Sequence, residues 1–503
     1  MIVMTTWWRR FRDALKRRKP DSAPTEEPIR TTDVGSTDVV ASLGPEQLPS
    51  KEAAPPKNRS ATEPRRRDPS APAPTTDAIL GLDLGTSSTK VVVRTPFVAS
   101  GRAVAVPVAP HATGDARYLA PTALAQSDAG AVEIPGQSSN PSAWSSLKVA
   151  LMDDPSSLDA QAKVAAYLAL IGRGAQHWYL QTQRDVVRSY ALRWRWNLGI
   201  PSSGWETAGP MEAAFLTSLA AAKRMAERDE PIRLEDAHNL VAEGVQADES
   251  VDIIPEVVAA VVGYARSHLR ERGLHFLVDV GASTLDFCAI ILHERQGEDN
   301  YSILTALVDR SGLHELHRAR LHALEGVPPN KLQVQAIELD LSNPLSRIPA
   351  RIRNYFASPR ACPKTISVDE TFMRQCVTQV MKCIVHVRKY RYPTSPEWES
   401  GIPVFLCGGG ATCGFYESVL EAASRRCSEN FAGCSPLRII QLPVPPQLDN
   451  PDMTPSTFTR LAVAYGLSFD RFDIGPIMGP DEIPDITRPT RPRREAAITK
   501  DQV

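Results

Sequence analysis

The sequence predicts an α/β protein in which two related lobes face each other across a cleft. Three stretches predict it. Ala78 to Arg94, AILGLDLGTSSTKVVVR, is an apolar run, an aspartate, a turn of glycine and hydroxyls, and a second apolar run. β-formers around such a centre read as a hairpin. Phe276 to Leu292, FLVDVGASTLDFCAIIL, repeats the plan a domain's length later. Ile402 to Cys407 is an apolar strand that runs into Gly408-Gly409-Gly410, and a helix follows from Phe415.

The first hairpin carries candidate chemistry. Gly85 lets the backbone turn and approach a ligand, because it has no Cβ. Thr86, Ser87, Ser88 and Thr89 offer hydroxyls and backbone N–H groups to an anion. Asp83, at the end of the strand, is positioned to hold a metal ion through water. Taken alone, the stretch is equally an ordinary hairpin with a polar turn. The second copy argues against that reading: Asp279, Gly281, Ala282, Ser283 and Thr284 follow the same order. The glycine triplet adds a third backbone surface open to a flat or charged ligand, next to a helix N-terminus that favours anions.

Length and composition set limits. The 503 residues suffice for two lobes with real cores. Lys+Arg number 57 and Asp+Glu 58, so bulk charge gives no reason to expect a nucleic-acid partner. No apolar run reaches the roughly 18 residues of a membrane span. The start, MIVMTTWWRRFRDALKRRK, lacks an apolar signal core, so a cytoplasmic protein is expected. The eight cysteines include no Cys-x-x-Cys pair and read as reduced thiols.

Along the chain, residues 1–18 form a basic amphipathic stretch, readable as a weak membrane-surface or partner-docking helix or as a solvated tail. Residues 19–76, rich in Pro, Ser, Thr and charge, are expected to be disordered. Arg65-Arg66-Arg67 within them reads as a solvated cluster. Lobe I is expected over 77–272. It opens with the first hairpin, followed by strands at Val104–Val108 and Arg117–Gln126. A helix over 158–183 has Val164, Tyr167, Leu168 and Ile171 on one face. Then come a strand at Tyr190–Ile200, a helix at Met211–Arg228, a short strand at Leu240–Val245, and a helix from Pro255 to Arg272. Lobe II is expected over 273–457. After its hairpin, Leu313–Glu325 reads as a charged helix whose His314, His317 and His322 are a solvated face rather than a metal site. A helix at Glu370–Tyr390, the strand to Cys407, a helix from Phe415 to Cys427 and a strand at Leu437–Leu442 complete it. The small-residue helix Phe458–Leu467 packs back onto lobe I through residue 472. The tail from about 474 is expected to be disordered.

These motifs resemble the actin-like ATPase superfamily, in which sugar kinases and DnaK-type heat-shock chaperones also fall. DLGTSST at 83–89 resembles its first phosphate loop, DVGASTLD at 279–286 its second, and LCGGGA at 406–411 its adenosine loop. The chaperone ATPase domain is the nearest likeness. YLAPTALAQSDAG resembles its early Pro-Ser/Thr strand, SSLKVALM the segment of its catalytic lysine, PEVVAAVVGY its Glu-bearing helix, and FTRLAVAYGL its closing helix. The resemblance covers roughly 77–472. It implies duplicated ribonuclease-H-like lobes around a nucleotide cleft. It also implies ATP/ADP and Mg as cofactors, with Asp83 and Asp279 facing each other to hold hydrated Mg²⁺. Gly85, Thr86, Ser87 and Ser88, Gly281 to Ser283, and Gly408 to Gly410 would contact the nucleotide. Lys148 would stabilise the transferred phosphoryl group, Glu256 orient or deprotonate water, and Thr284 bond the γ-phosphate. The less favoured readings are a surface lysine for Lys148 and a first-turn helix acid for Glu256. Asp286 also reads as a residue that only bonds nearby backbone.

Two departures qualify the function. Ala282 and Ser283 stand where that family has glycines, which implies slow or absent hydrolysis. No peptide-binding domain is expected after 472. The resulting reading is a slowly hydrolysing Mg-dependent ATPase that acts as a chaperone-like switch through unidentified protein partners. The alternatives are a non-hydrolysing nucleotide-sensing scaffold, a filament former or a carbohydrate kinase.

Overall fold

The computed structural model describes residues 73–109, 111–135, 144–202, 209–339, 347–450 and 453–483. The expected helix at 1–18, the Arg65-Arg66-Arg67 cluster and almost all of the 19–76 linker lie outside them.

Lobe I is built on β1 (Thr75–Leu84), β2 (Ser88–Arg94), β3 (Ala103–Ala105) and the short β4 (Ala120–Pro121). Small strands β5 (Ala123–Gln126), β6 (Val132–Glu133) and β7 (Trp144–Ser145) form a side sheet. β8 (Ala191–Ile200) and β9 (Val251–Pro255) complete the main sheet, in the order β3-β2-β1-β8-β9. β1, β2 and β3 pair antiparallel, whereas β1, β8 and β9 pair parallel.

Lobe II repeats this topology. Its strands are β10 (Gly273–Val280), β11 (Leu285–Arg295), β12 (Glu298–Asp309), β13 (Pro403–Cys407) and β14 (Arg438–Ile440). β10, β11 and β12 pair antiparallel, and β13 and β14 extend the sheet parallel to β10. Reading outward from the central strand, β10 plays the part of β1, β11 of β2 and β13 of β8. This is the duplicated, two-lobed α/β architecture that the two hairpins predict.

Two helices form a layer between the sheets. Glu256–Ala265 and Pro455–Leu467 are buried on nearly every face, as expected of helices with apolar residues all round. Their core is continuous with lobe I and also takes in Leu277, Ile290 and Phe405 of lobe II. Small residues allow the approach. A Cβ on Gly466 would lie 1.9 Å from the Ala259 carbonyl oxygen, and one on Gly81 of β1 would lie 2.4 Å from that of Ala464. The buried Asn197 of β8 donates to the carbonyls of Leu467 and Phe469, fixing the end of the closing helix.

Several expectations are corrected. Leu240–Val245 is not a strand: Leu240 and Val241 are the inward face of the Leu234–Ala242 helix, with Ala237 one turn earlier. Pro255 ends β9 rather than opening a helix, and the helix that follows stops at Ala265, short of Arg272. Arg117 belongs to a 3-10 turn, not to a strand. β12 carries polar residues at both ends and went unread in the sequence. The tail is ordered past 474, since β15 (Ile477–Met478) pairs with Tyr301–Ser302 of β12. His317 is buried against Tyr355, with Nδ1 2.7 Å from its hydroxyl, so the three histidines are not one solvated face. All eight cysteines are free thiols. Among the described residues no helix is long and apolar enough to cross a membrane.

Replacing a helical glycine by alanine ordinarily stabilises by about 1 kcal/mol. At Gly466 the crossing helix leaves no room, so Gly466→Ala is expected to destabilise by about 1–3 kcal/mol. A thermal melt that shows a raised or unchanged midpoint would contradict this packing.

Candidate functional site

Both hairpin turns and the glycine triplet line one cleft between the lobes, with a volume of about 960 Å³ including its open mouth. Asp83, Gly85, Thr86, Ser87 and Ser88 line it from the first loop. Asp279, Gly281, Ala282, Thr284 and Asp286 come from the second, and Gly408 to Gly410 from the third. Lys148 and Glu256 reach it from lobe I. Ser283 does not line it. Its carbonyl instead accepts from Gly312 N–H at 3.2 Å, which turns that residue into the packing behind the loop.

The first loop is held from below. Thr122 donates its hydroxyl to the Gly85 carbonyl (2.8 Å), and its N–H to that of Ser87 (3.1 Å). The Thr122 and Thr89 hydroxyls lie 3.1 Å apart, and Tyr167 anchors the segment by donating to the Pro121 carbonyl. The second loop is held by the start of the Leu313–Ala323 helix. Leu313 N–H donates to the Gly281 carbonyl and His314 N–H to that of Ala282 at 2.7 Å. The triplet owes two of its glycines to packing. Gly408 has φ +86°, and a Cβ there would lie 2.0 Å from Asp279 Oδ1; a Cβ on Gly410 would strike Val280. Only Gly409 has room for a Cβ, which would meet the Arg460 guanidinium at an ordinary contact distance of 3.7 Å.

Lys148 sits in the first turn of the Leu147–Asp153 helix. The residue before that helix, Ser146, adopts a left-handed φ of 61°, a conformation that costs a non-glycine residue energy and that aims the helix. Lys148 Nζ donates to Glu256 Oε1 at 2.6 Å, with both side chains largely out of solvent. Gly199 makes room for Glu256: a Cβ there would lie 2.8 Å from its Cγ. Burial opposes the charge on Lys148, but the Glu256 carboxylate outweighs it and raises the ammonium above its ordinary value. Burial also raises Glu256, with Asp83 adding to the rise and Lys148 opposing it. The geometry, a short charge-assisted bond, keeps the proton on Lys148.

The two hairpins differ at one register position. Asp83 pairs across β1 and β2 with Lys90, whose Nζ lies 3.2 Å from Asp83 Oδ2. At the equivalent place Asp279 pairs with Asp286. Like charges directly opposite are unfavourable. Burial and the nearby Glu256 and Asp83 push Asp279 up to about 6. Asp286 is raised well above the carboxylate range by burial and by Asp279. Its Oδ1 is buried without a hydrogen-bond partner. Four carboxylates therefore share this end of the cleft with two lysines. That donor set fits a divalent cation. Among the described residues no three His, Cys, Asp or Glu side chains converge closely enough to ligate a metal ion directly.

Among the lining residues that sequence reasoning missed are Lys90, His314, Thr459 and Arg460. The Thr459 carbonyl accepts from Gly408 N–H, and Arg460 Nη2 donates to the Gly409 carbonyl, both at 3.3 Å, so the closing helix of lobe I touches the triplet of lobe II. Lys90 was legible, since it holds the hairpin position opposite Asp83. Arg460 carried no signal, because only the return of the last helix to the cleft brings it there.

No family model and no curated protein matches the chain. Among solved structures it is similar to MreB 5 of Spiroplasma citri bound to AMPPNP, with 13% identity over 78% of this chain and 95% of that chain, at a TM-score of 0.39. A likeness this loose carries no argument; fold and site rest on the topology and geometry above.

The raised Asp279 gives a pH signature. The folded protein holds this proton between pH 4 and about 6 and the unfolded chain does not, so stability from this group falls as pH rises through that window. Asp279→Asn is expected to stabilise the ligand-free protein at pH 7 by about 1–2 kcal/mol, solvent in the cleft screening the rest. It should also flatten the melting profile between pH 4.5 and 7. A midpoint lowered at pH 7 would show that the charge is already compensated.

Proposed function

We propose that the chain is an ATP-binding, slowly hydrolysing nucleotide switch that works with Mg²⁺ and acts through partner proteins. One observation carries the reading: two hairpin turns of equivalent topology, rich in hydroxyls or small residues, line the same cleft as Lys148, Glu256 and an uncompensated group of carboxylates. Polyphosphate chemistry calls for such a set. Catalysis of phosphoryl transfer is mostly positioning and charge stabilisation, with little covalent work for the protein.

In this reading Thr86, Ser87 and Ser88 grip the β- and γ-phosphates, with Gly85 keeping the turn tight. Gly281, Ala282 and Thr284 contact the phosphates from the other lobe, and Gly408 to Gly410 flank the nucleoside. Asp83 and Asp279 hold the hydrated Mg²⁺, which when bound would neutralise phosphate charge. Lys148 stabilises the charge that develops on the transferred group. Glu256 orients the attacking water and takes its proton. For that Glu256 must share its ammonium partner with the phosphate, and the Cβ atom of Ala282 limits how closely the second loop can approach. Both features support slow turnover. They also favour the second reading, a binder that does not hydrolyse. A chaperone-like ancestry is supported by Pro121-Thr122 beneath the first loop and by Glu256 opening its helix.

The test uses the full-length protein with Mg·ATP. Asp83→Ala is expected to abolish nucleotide-dependent thermal stabilisation. Lys148→Ala and Glu256→Gln should still bind and should lower phosphate release by about 10²-fold. Phosphate release at background in the parent protein, with binding intact, would select the non-hydrolysing reading. Release unchanged in both variants would remove Lys148 and Glu256 from the chemistry.

A further inference from the structure

His314 is the only histidine that lines the cleft among the described residues, and the reading above leaves it without a role. Its backbone is fixed to the second loop, since His314 N–H donates to the Ala282 carbonyl at 2.7 Å. Leu313 N–H bonds Gly281 and Gly312 N–H bonds Ser283, so three successive residues clamp three successive loop carbonyls. Gly312 is pressed against the loop, where a Cβ would lie 2.5 Å from Thr284 N. The backbone that carries the imidazole is therefore tied to the second loop, and His314 lines the same cleft as that loop.

We propose that His314 is a phosphate-contacting residue that becomes protonated when the polyphosphate of a nucleotide binds, so that binding takes up a proton. The proposal rests on the nucleotide-site reading and specifies one of its contacts. In the ligand-free protein the imidazole is neutral at pH 7, because burial lowers it and Arg318 lowers it further against a smaller pull from Glu315. The other charged groups around the cleft are Lys90, Lys148 and Arg460 on one side of the balance and Asp83, Glu256, Asp279 and Asp286 on the other. The lysines are already engaged with Asp83 and Glu256. A bound polyphosphate adds several negative charges beside a group whose ordinary value is near 6.5. An adjacent opposite charge favours the protonated form. The imidazolium then donates to a phosphate oxygen, and the loop that carries it is drawn onto the ligand.

The sign follows. Binding raises the imidazole value, so the added affinity is full at low pH and is lost as pH rises through the value in the complex. The experiment is calorimetric titration of full-length protein with Mg·ADP, and separately with tripolyphosphate, at pH 6, 7 and 8 in buffers of different ionisation enthalpy. His314→Asn is run alongside, because it keeps a hydrogen-bonding side chain and lacks the titration. Both ligands should bind the parent protein about 10-fold more tightly at pH 6 than at pH 8, beyond any slope that remains in the variant. Proton uptake near pH 7 should vanish in His314→Asn, while its melting temperature without ligand stays within a few degrees. Equal pH slopes and equal proton uptake in the two proteins would overturn the proposal and leave the nucleotide site standing. A slope confined to Mg·ADP and absent for tripolyphosphate would place the imidazole at the nucleoside and overturn it as well. If the parent protein bound neither ligand, the nucleotide-site reading would fall, and this proposal with it.

Discussion

Asp83, Glu256, Asp279 and Asp286 reach one cleft from two lobes, and among the described residues only Lys90 and Lys148 answer them at that end. The imbalance comes from the duplication itself. Each hairpin places an aspartate at the end of its first strand and a second charged residue directly opposite. Lobe I has a lysine there and lobe II a carboxylate. The first wall is thus neutral within itself and the second is not. Asp279 and the orphaned Asp286 oxygen carry the consequence, and both titrate well above an exposed carboxylate. A folded protein keeps such groups together only when the surrounding structure leaves them no alternative.

The frame supplies that constraint. Gly466 lets the two central helices approach backbone to backbone, Gly81 lets the closing helix lie against β1, and Asn197 ties the end of that helix to β8. The helix that carries Glu256 begins at the edge of the cleft, where Gly199 leaves space for the side chain. Each loop is fixed by a different device: hydroxyls of Thr122 and Thr89 under the first, helix N–H groups behind the second, and the absence of Cβ atoms in the third. The closing helix then spans the cleft, so Thr459 and Arg460 of one lobe touch the glycines of the other. Any ligand that enters between Arg460 and Gly409 must exchange that contact for its own.

Much of this was legible in the sequence. The paired hairpins announced the duplication, because apolar runs on both sides of a glycine-bearing turn survive as a local signal. The long helix at Leu158–Thr182 and the strand at Ala191–Ile200 followed from periodicity alone. What failed was long-range. β12 has polar ends that local pattern cannot tell from loop, and it becomes a strand by pairing with β11. Leu240 and Val241 looked like a strand because a helix with only one buried face was cut short in view. At the site, the aspartates and hydroxyls could be read, but the triplet was read too simply. Gly408 and Gly410 are glycines chiefly because Asp279 and Val280 lie against them. His314 and Arg460 could not be read, since tertiary structure alone brings them to the cleft.

The central claim is that the two hairpin turns act as the two walls of one nucleotide site. Hydrogen–deuterium exchange of the full-length protein, with and without Mg·ATP, tests it most directly. The account predicts that peptides covering 83–90 and 279–286 gain protection together, with 408–414 following at the same ligand concentration. Protection of one wall alone, or of neither while a remote segment responds, would contradict it.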